Sequence, residues 1–304
     1  MKDLKMLLGG EVVRGVEGLK GVRFDDVSEI RLRVDKPMIV RVGLREFRSG
    51  FYPGVLDVRD IVERIGQHSL YAFEAELRAG YITLPGGHRV GVCGQVVLDE
   101  GAVGGWRHIG GVNIRVARNI FGCADFVLPH VFDGNGFLHT MIISPPGFGK
   151  TTILRDIVRQ VSDGGLQVGL VDERSEVAGC FQGVPQNDVG MRTDVIDGCP
   201  KHLAMVMLLR AMSPQVIAVD EIGGPDDARA VEMVLNAGVK LLCTAHGNSI
   251  EDAFANPGLA AMLQRGIFQR FVVLHGPGGK TRVYDGAGKP SAGAVYAGGV
   301  GHAV

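Results

Sequence analysis

The chain predicts an α/β fold: a domain on a parallel-rich sheet, preceded by a smaller α+β domain. Three observations carry this. Residues 141–152, Met-Ile-Ile-Ser-Pro-Pro-Gly-Phe-Gly-Lys-Thr-Thr, run from an apolar strand through a glycine- and proline-bearing loop to the head of a helix. Residues 216–219 form an uninterrupted apolar run ending in Asp220 and Glu221, as expected of a central strand covered on both faces. From residue 134 onward strand and helix patterns alternate, which calls for a parallel sheet.

In the first domain, residues 28–34 and 37–42 alternate apolar with polar and read as strands joined by an Asp-Lys-Pro turn. A helix is expected from Val58 to about Gln67 and another over 69–79. Strands follow over 81–84, 87–97 and 112–117, with the glycine-rich stretch 101–111 as a loop. Asp133-Gly134-Asn135-Gly136 is the expected linker, dividing the chain into 1–133 and 134–285. In the second domain, strands are expected over 137–144, 167–172, 216–220 and 241–245, with helices between them. Residues 270–275 and 280–284 then read as an edge hairpin. The Gly/Ala-rich residues 286–304 are expected to be a disordered tail.

A length of 304 residues with 46% hydrophobic content suits a two-domain protein with real cores. No apolar run approaches the roughly 20 residues of a membrane-spanning helix, and Met1-Lys2-Asp3-Leu4-Lys5 does not open a secretion signal, so a cytoplasmic location is expected. The five cysteines, Cys93, Cys123, Cys180, Cys199 and Cys243, never form a Cys-x-x-Cys pair and read as reduced packing residues. With 32 basic and 33 acidic residues, the net charge of −1 gives no global field to collect nucleic acid or anionic lipid. Arginine is nevertheless dense in the first half, as in Arg31-Leu32-Arg33 and Arg115-Val116-Ala117-Arg118. Such alternation makes either a solvated sheet face or a surface that meets a neighbour's nucleotide.

The 144–152 segment is a phosphate cradle in chemical terms. The loop Ser144, Pro145, Pro146, Gly147, Phe148 and Gly149, through the N–H groups of its non-proline residues and with the helix N-terminus, can surround a nucleotide's phosphates; the two prolines stiffen the turn. Lys150 adds a positive charge, the Thr151 hydroxyl can hold Mg²⁺, and Thr152 continues the helix. The usual pattern opens with glycine where this chain has Ser144. Asp220 and Glu221 end a strand whose carboxyl edge faces ligands in open α/β sheets. Asp220 is therefore assigned to the Mg²⁺ shell and Glu221 to polarising the attacking water. Two further strand ends, Asp172-Glu173-Arg174-Ser175-Glu176 and Thr244-Ala245-His246-Gly247, offer water-positioning and γ-phosphate-sensing groups, with His246 acting through a hydrogen bond. The expected substrate is ATP with Mg²⁺: an Asn-Lys-x-Asp guanine-reading motif and a Leu-Ser-Gly-Gly-Gln transporter signature are both missing.

These boxes, together with Leu209-Arg-Ala-Met-Ser-Pro214, resemble those of the type II and type IV secretion and pilus ATPases. Within that superfamily the chain most resembles sporulation ATPases of endospore-forming bacteria, as do Glu29-Ile-Arg-Leu-Arg33, Ser69-Leu-Tyr-Ala-Phe-Glu74, residues 80–90 and Arg192-Thr-Asp-Val-Ile-Asp-Gly-Cys-Pro200. The resemblance implies a RecA-like P-loop ATPase domain, a homo-oligomeric hexameric ring, and a smaller domain that lends arginines to a neighbour's nucleotide. Arg89 and Arg115 lie in stretches similar to the strand pair carrying those arginines, with Arg174, Arg192 and Arg210 next. The acidic box departs from the Glu-Asp-Pro type, so the water-activating role falls to Glu173, Glu176 or Glu221. The resemblance also implies membrane-embedded sporulation channel proteins as partners, joining mother cell and forespore, with the ATPase peripheral to the membrane through them. Two other classes fit the cradle: a RecA-like nucleic-acid motor, whose basic or aromatic track is not visible here, and a nucleotide-binding scaffold with little turnover.

Overall fold

The computed structural model describes residues 2–43, 45–66, 78, 80–275 and 281–296. It contains two compact units, Met1–Arg118 and Asn119–Ala303.

The first unit holds helices α1 (Lys2–Leu8), α2 (Gly10–Glu17) and α3 (Val55–Ile65) and an antiparallel sheet of β1 (Glu29–Arg33), β2 (Ile39–Val42), β3 (Arg45–Arg48), β4 (Tyr81–Thr83), β5 (Arg89–Asp99) and β6 (Ala102–Arg115), in the order β3-β2-β1-β6-β5-β4. Period-two patterning decides which face is buried. Ile30, Leu32, Val90, Val92, Val112 and Ile114 are buried on one face, and α3 lies against β6 with Val58, Ile61, Val62 and Ile65 buried. The opposite face carries Glu29, Arg31, Arg89 and Arg115, as the alternation predicts.

The glycine-rich stretch is a strand rather than the expected loop. Residues 102–115 pair along β5, and the hairpin turns at Glu100 and Gly101, both with positive φ. The glycines serve bulges and close backbone approach: a β-carbon at Gly111 would lie 2.8 Å from the Leu32 carbonyl oxygen, and one at Gly94 2.0 Å from that of His108. The helix expected over 69–79 lies outside the described residues except for Arg78.

The two units divide at Arg118–Asn119, ahead of the expected linker. Asp133-Gly134-Asn135-Gly136 instead turns the hairpin of β7 (Phe132–Asp133) and β8 (Gly136–Phe137), and Val127, Val131 and Phe137 beside it are buried in the second unit's core. A turn signal marks a chain reversal, which need not be a domain boundary.

The second unit is a sheet of eight strands in the order β11-β10-β12-β13-β9-β14-β15-β16. Its strands are β9 (Thr140–Ser144), β10 (Val168–Asp172), β11 (Thr193–Asp197), β12 (Val216–Val219), β13 (Lys240–His246), β14 (Arg270–Val273), β15 (Thr281–Asp285) and β16 (Pro290–Tyr296). The first six in that order are parallel and the last two antiparallel. Helices α4 (Lys150–Asp163), α5 (Lys201–Ala211), α6 (Pro225–Asn236), α7 (Ile250–Ala255) and α8 (Pro257–Gln264) complete the unit. One core joins α4 (Ile153, Leu154, Ile157) to Ile142, Leu170, Ala218 and Leu242. The other joins α5, α6 and α8 to Met141, Ile143, Ile217 and Val219. The central strands are buried on both faces, which is why they read as continuous apolar runs.

The expected tail departs from its prediction. Residues 290–296 form the edge strand β16, because small residues lacking bulky aliphatics still pair through backbone hydrogen bonds, and Pro290 stands at the strand's first position. Residues 297–304 lie outside the described residues. Among the described residues no helix is long and apolar enough to cross a membrane.

His88 makes the first unit acid-sensitive. It is 5% exposed, accepts the Ala117 N–H at Nδ1 (3.0 Å), and burial pushes its pKa from 6.5 down to about 4. Between those values the unfolded chain binds the extra proton. Stability from this site is complete above pH 6.5 and is lost as pH falls towards 4, by about 3 kcal/mol. Thermal melts across this range should show the loss, and His88→Asn, which keeps an acceptor without the titration, should flatten it. An unchanged pH slope in that variant contradicts the assignment.

Candidate active site

The carboxyl ends of β9, β10, β12 and β13 meet at the N-terminus of α4. Between β9 and α4 the loop turns on Gly147 and Gly149, with φ of 78° and 85°. A β-carbon on Gly147 would meet nothing within 4 Å, so its backbone conformation, rather than lack of space, selects glycine there. Gly149 is the N-cap of α4 and no side chain caps the helix, which leaves the first-turn N–H groups directed at the loop, ready for an anion.

Ser144 is fully buried at the end of β9, opposite His246 in register, and donates its hydroxyl to the Pro145 carbonyl (2.9 Å). Its side chain is thus engaged with its own backbone. Ser144→Gly should leave nucleotide affinity within about threefold of wild type, since the donors nearer Lys150 do most of the anion binding. Titration with a fluorescent nucleotide checks this, and loss of binding would give Ser144 a direct ligand role.

Lys150 is 7% exposed, and its Nζ lies 3.0 Å from His246 Nδ1. Burial lowers its pKa, opposed by the charges of Asp220 and Glu221. Asp220 follows β12, which is separated from β9 by β13, yet its side chain reaches across the gap. The Thr151 hydroxyl donates to Oδ2 (3.1 Å) and the Thr244 hydroxyl, from β13, to Oδ1 (2.6 Å). Burial raises the Asp220 pKa, and Thr244, Lys150 and Thr151 counter it. The Thr244 hydroxyl also accepts the Glu221 N–H (2.7 Å), so one side chain fixes both carboxylate residues.

Glu221 holds a φ of 59°, a left-handed conformation that costs a non-glycine residue about 1–3 kcal/mol and recurs where function requires it. Its carboxylate lies 2.6 Å from His246 Nε2 and 3.4 Å from Arg174 Nη1. With the Lys150 ammonium donating to Nδ1, a neutral His246 carries its proton on Nε2 and donates it to Glu221. His246 therefore connects the cradle lysine to the second carboxylate.

The other candidates are placed differently. Glu173 is ion-paired with Lys201 Nζ (2.7 Å) at the start of α5, and Glu176 is exposed. Arg192 enters β11 at the amino edge of the sheet and donates to the Ser162 carbonyl near the far end of α4, so within its own chain it is remote from the cradle. Arg210 is exposed in the last turn of α5, which leads back to that same edge. Arg89 and Arg115 belong to the first unit, opposite each other across β5 and β6. Arg89 stacks over Tyr81 at 3.6 Å and Arg115 is exposed.

Two contributors escaped the sequence reading, Lys201 and Arg155, while Asp172, expected with its strand end to position water or sense phosphate, instead accepts N–H groups of its own loop. Lys201 left a signal, because a cation in the first turn of a helix opposes the macrodipole and calls for a carboxylate partner.

The residues present fit MgATP. The Thr151 hydroxyl and Asp220 carboxylate are adjacent hard oxygen donors of the kind Mg²⁺ takes alongside phosphate oxygens and water. Lys150 and the uncapped helix start supply positive potential beside them.

Comparison with known proteins follows the same line. Stage III sporulation protein AA of Bacillus subtilis (strain 168) is 42% identical over 295 residues, 94% of this chain and 95% of that one. Among solved structures, the ATPase DotB of Yersinia pseudotuberculosis superposes with a TM-score of 0.57 at 14% identity, covering 87% of this chain and 73% of that one. The pilus retraction motor PilT with bound ADP gives 0.55 at 16% identity, covering 88% and 77%. The fold is thus that of the RecA-like secretion ATPases, with an antiparallel-sheet unit ahead of the parallel one. The profile of the family described as "Sporulation stage III, protein AA" matches residues 2–290, and the chain belongs to that family.

Proposed function

We propose that the chain is a Mg²⁺-dependent ATPase working as a ring of identical subunits, with hydrolysis driving domain motion that energises a secretion-type channel in sporulation. The observation that carries the catalytic part is the meeting of Lys150, Thr151, Asp220 and Thr244 around the uncapped start of α4. The family and the secretion-ATPase fold support the biological part. In this reading the ring is hexameric, it lies in the cytoplasm of the mother cell, and it reaches the membrane through channel proteins facing the forespore.

The chemistry follows from the side chains. The first-turn N–H groups and Lys150 bind the phosphates, which draws Lys150 away from His246. Thr151 and Asp220 hold Mg²⁺, which when bound neutralises phosphate charge. Of the three candidate carboxylates, Glu221 is the water-orienting group: it adjoins Asp220 on the same strand end, and Thr244 and His246 fix its backbone and side chain. Glu173 is already committed to Lys201. His246, relieved of Lys150, sets the position of Glu221 according to what the cradle holds.

The deciding experiment is steady-state phosphate release by the purified chain with ATP, with and without Mg²⁺. Mg²⁺-dependent turnover supports the reading. Tight nucleotide binding without release makes the chain a scaffold, and DNA affinity that falls steeply with salt makes it a nucleic-acid motor. Mass measurement with a slowly hydrolysed ATP analogue tests the ring.

A further inference from the structure

The loop after β10, residues 173–178, carries Glu173 and Arg174 into the site and is held from two sides by charged side chains, a buried aspartate and a half-buried arginine. On one side the Asp172 carboxylate, 1% exposed, accepts the N–H groups of Glu176 (2.9 Å), Val177 (3.1 Å) and Ala178 (2.8 Å). On the other, Arg155 donates from Nε to the Val177 carbonyl (2.5 Å) and from Nη2 to the Glu176 carbonyl (2.8 Å). Arg155 lies on α4, little more than a turn past Lys150, so its guanidinium spans from the phosphate-binding helix to the loop. Asn187 donates a further bond to the Val177 carbonyl (2.9 Å), fixing the far end of the segment.

Within this loop Ser175 has a φ of 53° and bonds Asp197 on the neighbouring strand. A segment with left-handed backbone at a non-glycine residue stays in one conformation only if its surroundings determine it. Arg155 and Asp172 do so here, one binding carbonyls and the other amides, and the negative charge of Asp172 opposes the effect of burial on Arg155. Arg174, whose guanidinium meets the Glu221 carboxylate, leaves the chain three residues before the clamped Val177. The position of Arg174 relative to Lys150 is thus set through Arg155.

We infer that Arg155 is a positioning residue: it ties the phosphate-binding helix to the loop carrying Arg174, so that Arg174 and Glu221 are placed with respect to bound phosphates. The bidentate fork explains why the residue is arginine, since a lysine ammonium in the same place reaches two diverging carbonyls less well. The inference rests on the ATPase reading for its consequence and on apo geometry for its substance, and the experiment separates the two.

The first arm is hydrogen exchange of the nucleotide-free protein. Arg155→Ala should raise exchange in peptides covering 173–180 while the helix start at 150–153 and the strands keep wild-type protection, and Arg155→Lys should fall between. The second arm is kinetics. Arg155→Ala should leave nucleotide affinity within about threefold and lower kcat on the order of 10²-fold, the scale of a misplacement of about 1 Å. Because the effect acts through Arg174, adding Arg155→Ala to Arg174→Ala should cost little more than Arg174→Ala alone. Unchanged exchange at 173–180 overturns the clamp whatever the enzyme does. Additive kinetic losses, or equal losses in affinity and kcat, overturn the positioning role. If Arg155→Ala does not fold, Arg155→Lys carries both arms. Wild-type protein without phosphate release defeats the ATPase reading and leaves the exchange arm to decide the clamp.

Discussion

Lys150→Ala abolishes measurable phosphate release and weakens ATP binding in the purified protein. The expected fall in turnover is on the order of 10²–10³-fold or more, the range seen when one preorganised group facing developing charge is removed. Lys150 is the cradle's side-chain cation, held almost fully buried at a point where burial lowers its pKa against the opposing charges of Asp220 and Glu221. The protein maintains an ammonium there at a desolvation cost, which a merely structural lysine on a helix start would avoid by turning to solvent. Glu221→Gln provides the contrast. It preserves size and removes the charge that orients water, so it should bind nucleotide as well as wild type and lose hydrolysis by a similar factor. Fluorescent-nucleotide titration with phosphate release separates the two effects. Wild-type turnover in Lys150→Ala would falsify the central assignment.

The parts of this site that a sequence reveals are those fixed by local geometry. Lys150 and Thr151 follow from a loop whose glycines and helix start are contiguous in the chain, and Asp220, Glu221 and His246 from the rule that apolar runs in parallel sheets end at the ligand edge. Thr244 stood in the right box, but its double hydrogen bond to Asp220 and Glu221 depends on β13 lying between β12 and β9, a strand order no local pattern encodes. Arg155, and the loop-holding role of Asp172, were invisible for the same reason: their partners are backbone groups of a loop, and backbone groups carry no sequence signature. In the first unit, the glycines at 104, 105, 110 and 111 erased the alternation that marks a strand, so β6 was legible only at its final residues. The register of that hairpin is a tertiary fact. It sets Arg89 opposite Arg115.

That pairing motivates the second large effect. Like charges directly opposite on a sheet are destabilising, and Arg115 stands between Arg89 on one side and Glu29 on the other. Arg89 is stacked over Tyr81, whereas Arg115 is exposed on the sheet face. If either one reaches the γ-phosphate of an adjacent subunit, Arg115→Ala or Arg89→Ala should spare nucleotide binding while cutting hydrolysis by about 10³-fold, the low end for an arginine finger supplied in trans. Turnover per chain should rise with protein concentration as rings assemble. Mixing then gives a positive result from two inactive proteins: Arg115→Ala chains retain Glu221, Glu221→Gln chains retain Arg115, and a mixed interface rebuilds one complete site from the two. Activity that returns on mixing, in proportion to the fraction of such interfaces, supports catalysis between subunits. Arginine variants that hydrolyse ATP at the wild-type rate would instead make this face of the sheet a solvated surface, and the charge developing on the γ-phosphate would have to be met by groups of the second unit alone, with Arg174 the first to examine.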